Sequence, residues 1–197
     1  MSSPKLDKDY WHQRWENSDT GWDLGAPTPP LVAYIDQLTH KELKILVPGS
    51  GNGYEVEYLW KKGFRNVYIA DISPLPLDRF RQRVTDFPET QIICGDFFEI
   101  TDQFDLIIEH TFFCALSPSM RSSYVRKMHE LLVENGKLAG LLFTFPLTEK
   151  GPPFGGNIDE YTALFSPFFE LQQAATTPLS IKPRLGNELF IELIKKS

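Results

Sequence analysis

Glycine recurs at alternate positions through Gly49, Gly51 and Gly53, directly after the apolar run Leu43 to Val47 and directly before a helical pattern. With no Cβ, the backbone there can turn through positive φ and approach a ligand closely. Eighteen positions after Gly53, Asp71 ends a second apolar run, Val67 to Ala70. An acid at the end of the second strand of a nucleotide-binding unit accepts hydrogen bonds from a ribose. Further polar residues follow apolar runs at Asp96-Phe97 and Glu109-His110. Trp11, Trp15 and Trp22 fall within twelve positions near the N-terminus. They are either the apolar side of a helix packed over the domain or an aromatic lid, whose faces attract a sulfonium or ammonium group.

Strands and helices must alternate to bring these residues together. The runs Leu43–Val47, Val67–Ala70, Gln91–Cys94, Phe104–Glu109 and Lys137–Phe145 predict five strands. Helical patterns precede the first strand (Asp9–Glu16 and Pro29–Leu38) and follow the first, second and fourth. They run from Gly53 to Lys62, from Ser73-Pro74, and from Ser117-Pro118 to a stop at Asn135-Gly136. Alternation of this kind implies a mostly parallel sheet covered on both faces. A proline- and glycine-rich loop, TFPLTEKGPPFGGN, leads to a short helix near Asp159–Phe165. The last two strands, Phe168–Thr176 and Glu188–Lys195, are separated by too little chain for a helical crossover, so they pair antiparallel. In an open α/β sheet the ligand lies off the carboxyl ends of the strands. The glycine turn, Asp71, Asp96-Phe97 and Glu109-His110 all occupy those ends.

At 197 residues, with 42% hydrophobic and 23% charged residues, the chain fits a single domain with a sizeable core. A net charge of −6 disfavours a nucleic-acid or anionic-membrane partner, which needs a basic surface. A small-molecule partner, a monomer and a cytoplasmic location are expected, since no membrane span or signal segment is legible. Cys94 and Cys114 lie in apolar surroundings and read as buried free thiols; no metal-ligand spacing is present.

The spacing G-x-G-x-G differs from the dinucleotide fingerprint G-x-G-x-x-G and is similar to the first motif of S-adenosylmethionine-dependent methyltransferases. Together, WHQRWENSDTGWDLGAP, LVPGSGNGYEV, ADISP, GDFF, EHTFFCALSPSMR and GPPF resemble the thiopurine methyltransferase family. The resemblance is strongest to its branch of halide, thiocyanate and thiol methyltransferases, and it extends from about Tyr10 to Lys195. It implies a Rossmann-like class I fold, α/β, with a mostly parallel seven-stranded sheet, an antiparallel C-terminal edge hairpin and helices on both faces. It also implies S-adenosylmethionine as cofactor, leaving as S-adenosylhomocysteine, and a lid formed by residues 1–40. Trp11, Trp15 and Trp22 then close over the cofactor and Gly49 and Gly51 cradle it. Asp71 and the adjacent Ile72 take the ribose, Asp96 and Phe97 flank the adenine, and His110 reaches the methionine end. Three positions depart from the pattern: Ser50 where cysteine is frequent, Phe145 before Pro146 where plant enzymes carry tyrosine, and His110 in place of tyrosine or arginine.

The expected chemistry is an in-line displacement in which positioning and exclusion of water supply most of the effect. A thiol, sulfide, thiocyanate, halide or thiopurine is the expected acceptor. His110 is a candidate base through its pKa range, with Glu109 and His12 behind it. Alternatively, His110 only positions the cofactor by a hydrogen bond. Phe112, Phe113, Phe145 and Phe154 are the candidate acceptor pocket, and Arg184 reads either as an attractor for an anionic acceptor or as an exposed hairpin residue. Two other readings remain open: a Rossmann-like NAD-binding oxidoreductase, and a non-catalytic protein that binds the cofactor.

Overall fold

The computed structural model describes residues 5–148 and 151–197. The first four residues of the expected lid and two residues of the proline-rich loop lie outside the described residues. Seven strands, β1 (Ile45–Pro48), β2 (Val67–Asp71), β3 (Ile92–Cys94), β4 (Phe104–His110), β5 (Leu132–Phe143), β6 (Phe169–Thr176) and β7 (Glu188–Lys195), form one sheet in the order β3-β2-β1-β4-β5-β7-β6. The first five are parallel, and β7 pairs antiparallel with both β5 and β6. The C-terminal hairpin is therefore present, with its second strand inserted beside β5 and its first at the sheet edge.

Alternating side chains divide the sheet into two cores. Ile45, Val47, Val67 and Ile69 pack under α2 (Pro29–Ile35), α3 (Tyr54–Lys61) and α4 (Pro74–Arg83). Leu46, Ile107, Leu138 and Leu142 pack under α5 (Arg121–Leu131) and α6 (Ile158–Phe165) on the opposite face. The remaining helix, α1 (Lys8–Glu16), is capped by Asp7, whose side chain accepts from the Tyr10 N–H, and it lies against α4. Among the described residues no helix is long and apolar enough to cross a membrane.

Two sequence expectations are corrected. The helix before β5 ends at Leu131 rather than at Asn135-Gly136: Leu132 is fully buried and already extended, pairing with Phe104, and Asn135 sits at φ 58° inside an irregular strand start. Cys94 is exposed, because β3 is an edge strand, whereas Cys114 is buried.

Candidate active site

The loops at the carboxyl ends of β1 to β5 surround a cavity of about 1690 Å³. On the β2–β3 side the site is made of backbone and short carboxylates. Gly49 adopts φ +56°, and a Cβ on it would stand 2.3 Å from Cδ2 of Phe112. Gly51, at φ +52°, donates its N–H to Asp71 Oδ2 at 2.9 Å, and a Cβ there would meet the Trp15 ring at 3.0 Å. Glycine is thus needed twice, once against the Phe112 ring and once against the Trp15 ring. Asp71 also accepts from the Ser73 N–H at 2.9 Å, yet burial wins over these bonds and raises its carboxyl to about 6. At the end of β3, Asp96 is exposed, with one oxygen accepting from the Phe98 N–H. Phe97 is buried beside it and stands edge-on to Phe112 at 5.1 Å.

All three tryptophans line the cavity, with Trp22 edge-on to Trp11 at 5.5 Å and to Trp15 at 5.6 Å. Trp15 is buried, and the Arg79 guanidinium lies 5.5 Å from its ring centre. This segment is fastened to the glycine turn and to α3 by side chains that sequence spacing does not reveal. Asn52 donates to Asp23 at 2.5 Å, and the Thr28 N–H donates to Glu55 at 3.0 Å. His12 contacts Ser73 Oγ at 3.3 Å and Glu16 at 3.5 Å, which makes it a strut of α1 rather than a wall residue.

After β4 the chain makes a strained turn. Thr111 is β-branched yet sits at φ 60°. Glu109, fully buried, holds this turn: its Oε1 accepts from the N–H groups of Phe112 (2.8 Å) and Phe113 (3.0 Å), and its Oε2 accepts from the Tyr124 hydroxyl at 2.6 Å. Burial pushes the Glu109 carboxyl up despite those bonds. A carboxyl so engaged, and absent from the cavity wall, supports structure rather than proton transfer.

His110 also lies behind the wall. Its Nδ1 is 3.2 Å from Glu55 Oε1 and its Nε2 is 3.1 Å from Arg184 Nη1. Both ring nitrogens contact protein groups, Glu55 on one side and Arg184 on the other. Burial opposes ionisation of Glu55, but His110 and the Thr28 N–H outweigh it and hold the carboxyl below its ordinary range. Arg184 is not an exposed hairpin residue, one of its two readings: the loop before β7 folds over the cavity and buries it, and it contacts Glu188 at 3.3 Å and donates to the Trp22 carbonyl at 2.9 Å.

Of the four candidate pocket phenylalanines, Phe112 and Phe154 line the cavity. Phe113 is instead a core residue edge-on to Tyr124 and Tyr161. Phe145 lies past the end of β5, packed on Phe143, and Phe143 takes the wall position. Leu116, Met120, Leu147 and the Pro152-Pro153 pair complete an apolar wall that sequence reading missed. Met120, at helical spacing with Tyr124 and Met128 in the sequence, sits in the turn before α5, and the others come from loops without periodicity.

The thiopurine S-methyltransferase family model matches residues 6–187. The chain belongs to that family. It is 33% identical to a probable thiol methyltransferase 2 of Arabidopsis thaliana, covering 90% of this chain and 81% of that protein. It is also 26% identical to a thiopurine S-methyltransferase of Acinetobacter baylyi, over 92% of this chain and 94% of the relative. In fold it is similar to a Burkholderia thailandensis 1,6-didemethyltoxoflavin-N1-methyltransferase solved with S-adenosylhomocysteine, at TM-score 0.80 and 16% identity over 100% of this chain and 94% of the other. A TehB-like methyltransferase of Corynebacterium glutamicum matches at TM-score 0.67 and 24% identity, over 96% and 98% of the two chains. This member of the family is thus a methyltransferase of the class I fold with S-adenosylmethionine as cofactor, and the NAD-binding alternative falls away. The residues present fit that cofactor: the cradle between the glycine turn and Trp15 has no room for a Cβ, and Asp71 and Asp96 offer carboxylate oxygens to hydroxyl and amine donors.

Proposed function

We propose that this methyltransferase acts on a small soft nucleophile, such as a thiol, sulfide, thiocyanate, halide or thiopurine, by in-line displacement. The observation that carries this reading is the apolar wall on the β4–β5 side. Phe112, Leu116, Met120, Phe143 and Phe154 form it, and among its described residues there is neither a carboxylate nor an imidazole. Cys114 stands at the same wall, but burial raises its thiol far above neutral pH. An acceptor that must lose a tightly held proton has no base here. A soft anion needs none, and an apolar wall that excludes water favours it over a hydrated hard nucleophile.

Bound S-adenosylmethionine supplies a methyl group on a positively charged sulfur. On this reading Asp71 accepts from the ribose hydroxyls, Asp96 accepts from the adenine amine, and Phe97 packs on the base. Gly49 and Gly51 let the backbone come close, and the tryptophan segment closes the site to water. The guanidinium of Arg184 draws an anionic acceptor toward the apolar wall.

Calorimetric titration with S-adenosylmethionine and NAD in parallel, followed by methyl-transfer assays with iodide, thiocyanate, hydrogen sulfide, a small organic thiol and a thiopurine, tests the proposal. Binding of the first ligand alone, with turnover of at least one soft acceptor, is expected. Tight binding without turnover of any of the five would overturn the acceptor class and favour a binding protein.

A further inference from the structure

Glu55, His110, Arg184 and Glu188 form a buried chain of charged and polar groups behind the cavity, linking α3, β4 and the start of β7. The hydrogen-bond directions in it are constrained. A guanidinium can only donate, so Arg184 Nη1, 3.1 Å from His110 Nε2, requires that nitrogen to carry a lone pair. The imidazole proton then sits on Nδ1, directed at Glu55 Oε1 at 3.2 Å. That oxygen also accepts from the Thr28 N–H, and Arg184 Nη2 donates to the Trp22 carbonyl at 2.9 Å. The tryptophan segment is thereby tied at Thr28 and at Trp22 to the two ends of the arrangement that His110 bridges.

We propose that His110 is a positioning residue that holds Arg184, and through it Trp22, only as the neutral Nδ1–H tautomer. Protonation at Nε2 sets an N–H against the Arg184 N–H, so the bridge opens and Trp22 loses its anchor. The groups facing the imidazole are Glu55 from α3 and Arg184 from the loop before β7. Glu188 stands behind Arg184 on β7, and Glu109 precedes His110 on β4. One buried Glu188 oxygen, Oε2, has no partner and is the acceptor left to the Arg184 N–H once Nε2 no longer accepts, drawing the guanidinium away from His110. Closure of the tryptophan segment therefore weakens when acid adds the second imidazole proton. The inference rests on reading that segment as closing over the cofactor.

Two measurements test it. Imidazole nitrogen–proton correlation spectroscopy of the whole chain near pH 7.5, with His110 assigned through its backbone, should show the Nδ1–H tautomer; an Nε2–H or doubly protonated ring at that pH overturns the proposal. Second, S-adenosylmethionine affinity and the tryptophan fluorescence of the free chain are followed from about pH 8 to 5.5 in the native chain, His110→Gln and His110→Ala. Gln can still donate to Glu55 and accept from Arg184, so it should keep the high-pH affinity and lose the acid-linked weakening. The native chain should weaken about tenfold more than His110→Gln, the worth of the lost hydrogen bond to the charged guanidinium. Asp71 titrates in both chains and cancels in the difference. His110→Ala should bind weakly throughout. Parallel pH curves for the native chain and His110→Gln, in affinity and in fluorescence, would sink the idea. If neither chain binds the cofactor, the cofactor assignment fails, while the tautomer and the free-chain fluorescence still decide whether the tie exists.

Discussion

The two sides of the cavity are built by different means. On the β2–β3 side, three short contiguous stretches, Gly49–Gly53, Asp71–Ser73 and Gly95–Phe98, meet through backbone groups: Gly51 N–H on the Asp71 carboxylate and Gly95 N–H on the Asp71 carbonyl at 3.0 Å. On the β4–β5 side, side chains join distant segments. Arg184 reaches Trp22 across 162 positions, and Arg121 holds the 151–157 loop by donating to the Gly155 carbonyl at 2.7 Å. The Phe154 N–H donates to the Cys114 carbonyl at 2.8 Å. A ligand common to a family is suited to fixed backbone, and an acceptor that varies is suited to replaceable side chains.

The largest test of this contrast is Gly49→Val, since Gly49 is where the two sides touch. A β-branched residue at φ +56°, with its Cβ forced onto Phe112, costs on the order of 3 kcal/mol and removes measurable S-adenosylmethionine binding. Thermal unfolding and calorimetry check this. Near-native affinity in the variant would mean that Phe112 yields freely and that the two sides are independent.

Glu109→Leu comes next. It leaves the Phe112 and Phe113 N–H groups and the Tyr124 hydroxyl without their acceptor, and a loss of about 2–4 kcal/mol in denaturant unfolding is expected. Glu109→Gln should cost under about 1 kcal/mol, because an amide oxygen still accepts from both N–H groups and burial already disfavours the ionised acid. A Gln variant as damaged as the Leu variant would restore a role for the charge itself.

Asp71 gives a smaller effect, confined to the cofactor side. Asp71→Asn should weaken S-adenosylmethionine about tenfold to a hundredfold, the worth of a hydrogen bond to a charged acceptor, and leave the acceptor KM unchanged. Its pH dependence has a definite sign. The folded pKa, about 6, lies above the ordinary 3.8, so the folded free chain binds its proton more tightly than the unfolded chain. What the protonated form adds to stability is lost as pH rises through about 6. With Asp71 taking the ribose hydroxyls, as proposed, the acceptor must be ionised, so cofactor affinity should strengthen over that same rise and weaken below it. Asp71→Asn should remove that part of the curve, as calorimetry between about pH 5 and 7.5 would show.

The same contrast explains what was legible in the sequence. Gly49, Gly51, Asp71, Asp96 and Phe97 could be placed on the cavity wall because each lies at or just after the end of an apolar run, and strand ends converge in a parallel sheet whatever their side chains. The seven strands, the parallel run of the first five and the antiparallel last pair followed from alternation and from the short last connection, whereas the strand order needed the structure. Arg184 stayed open between acceptor attractor and exposed hairpin residue because its burial depends on a loop folding over the cavity, and Glu55 passed unnoticed as one more acid on an amphipathic helix. His110 and Glu109 were located at the correct strand end, but their partners Glu55, Arg184 and Tyr124 come from other elements and decide what the side chains do. Phe113 and Phe145 show the same gap, since spacing does not say whether an aromatic side chain after a strand points to the core or to the cavity.

The smallest predicted effect lies at the rim of the acceptor side. Met120 is 36% exposed and lines the cavity in the turn before α5. It holds no backbone group of the site, so truncation should leave the fold and the cofactor side untouched. If the apolar wall is where the acceptor rests, Met120→Ala removes contact with the tail of an organic thiol while a thiocyanate or halide, too short to reach the rim, loses nothing. The KM for an alkyl or aryl thiol should rise about threefold to tenfold, in line with one or two buried methylene groups. S-adenosylmethionine affinity and the KM for thiocyanate should stay within error. A uniform rise for every acceptor would place Met120 in the closure of the site instead, and an unchanged thiol KM would move the acceptor deeper, against Phe112 and Phe154. Each outcome assigns the rim to one side of the cavity, and the expected one makes it a selector among acceptors that the cofactor side cannot distinguish.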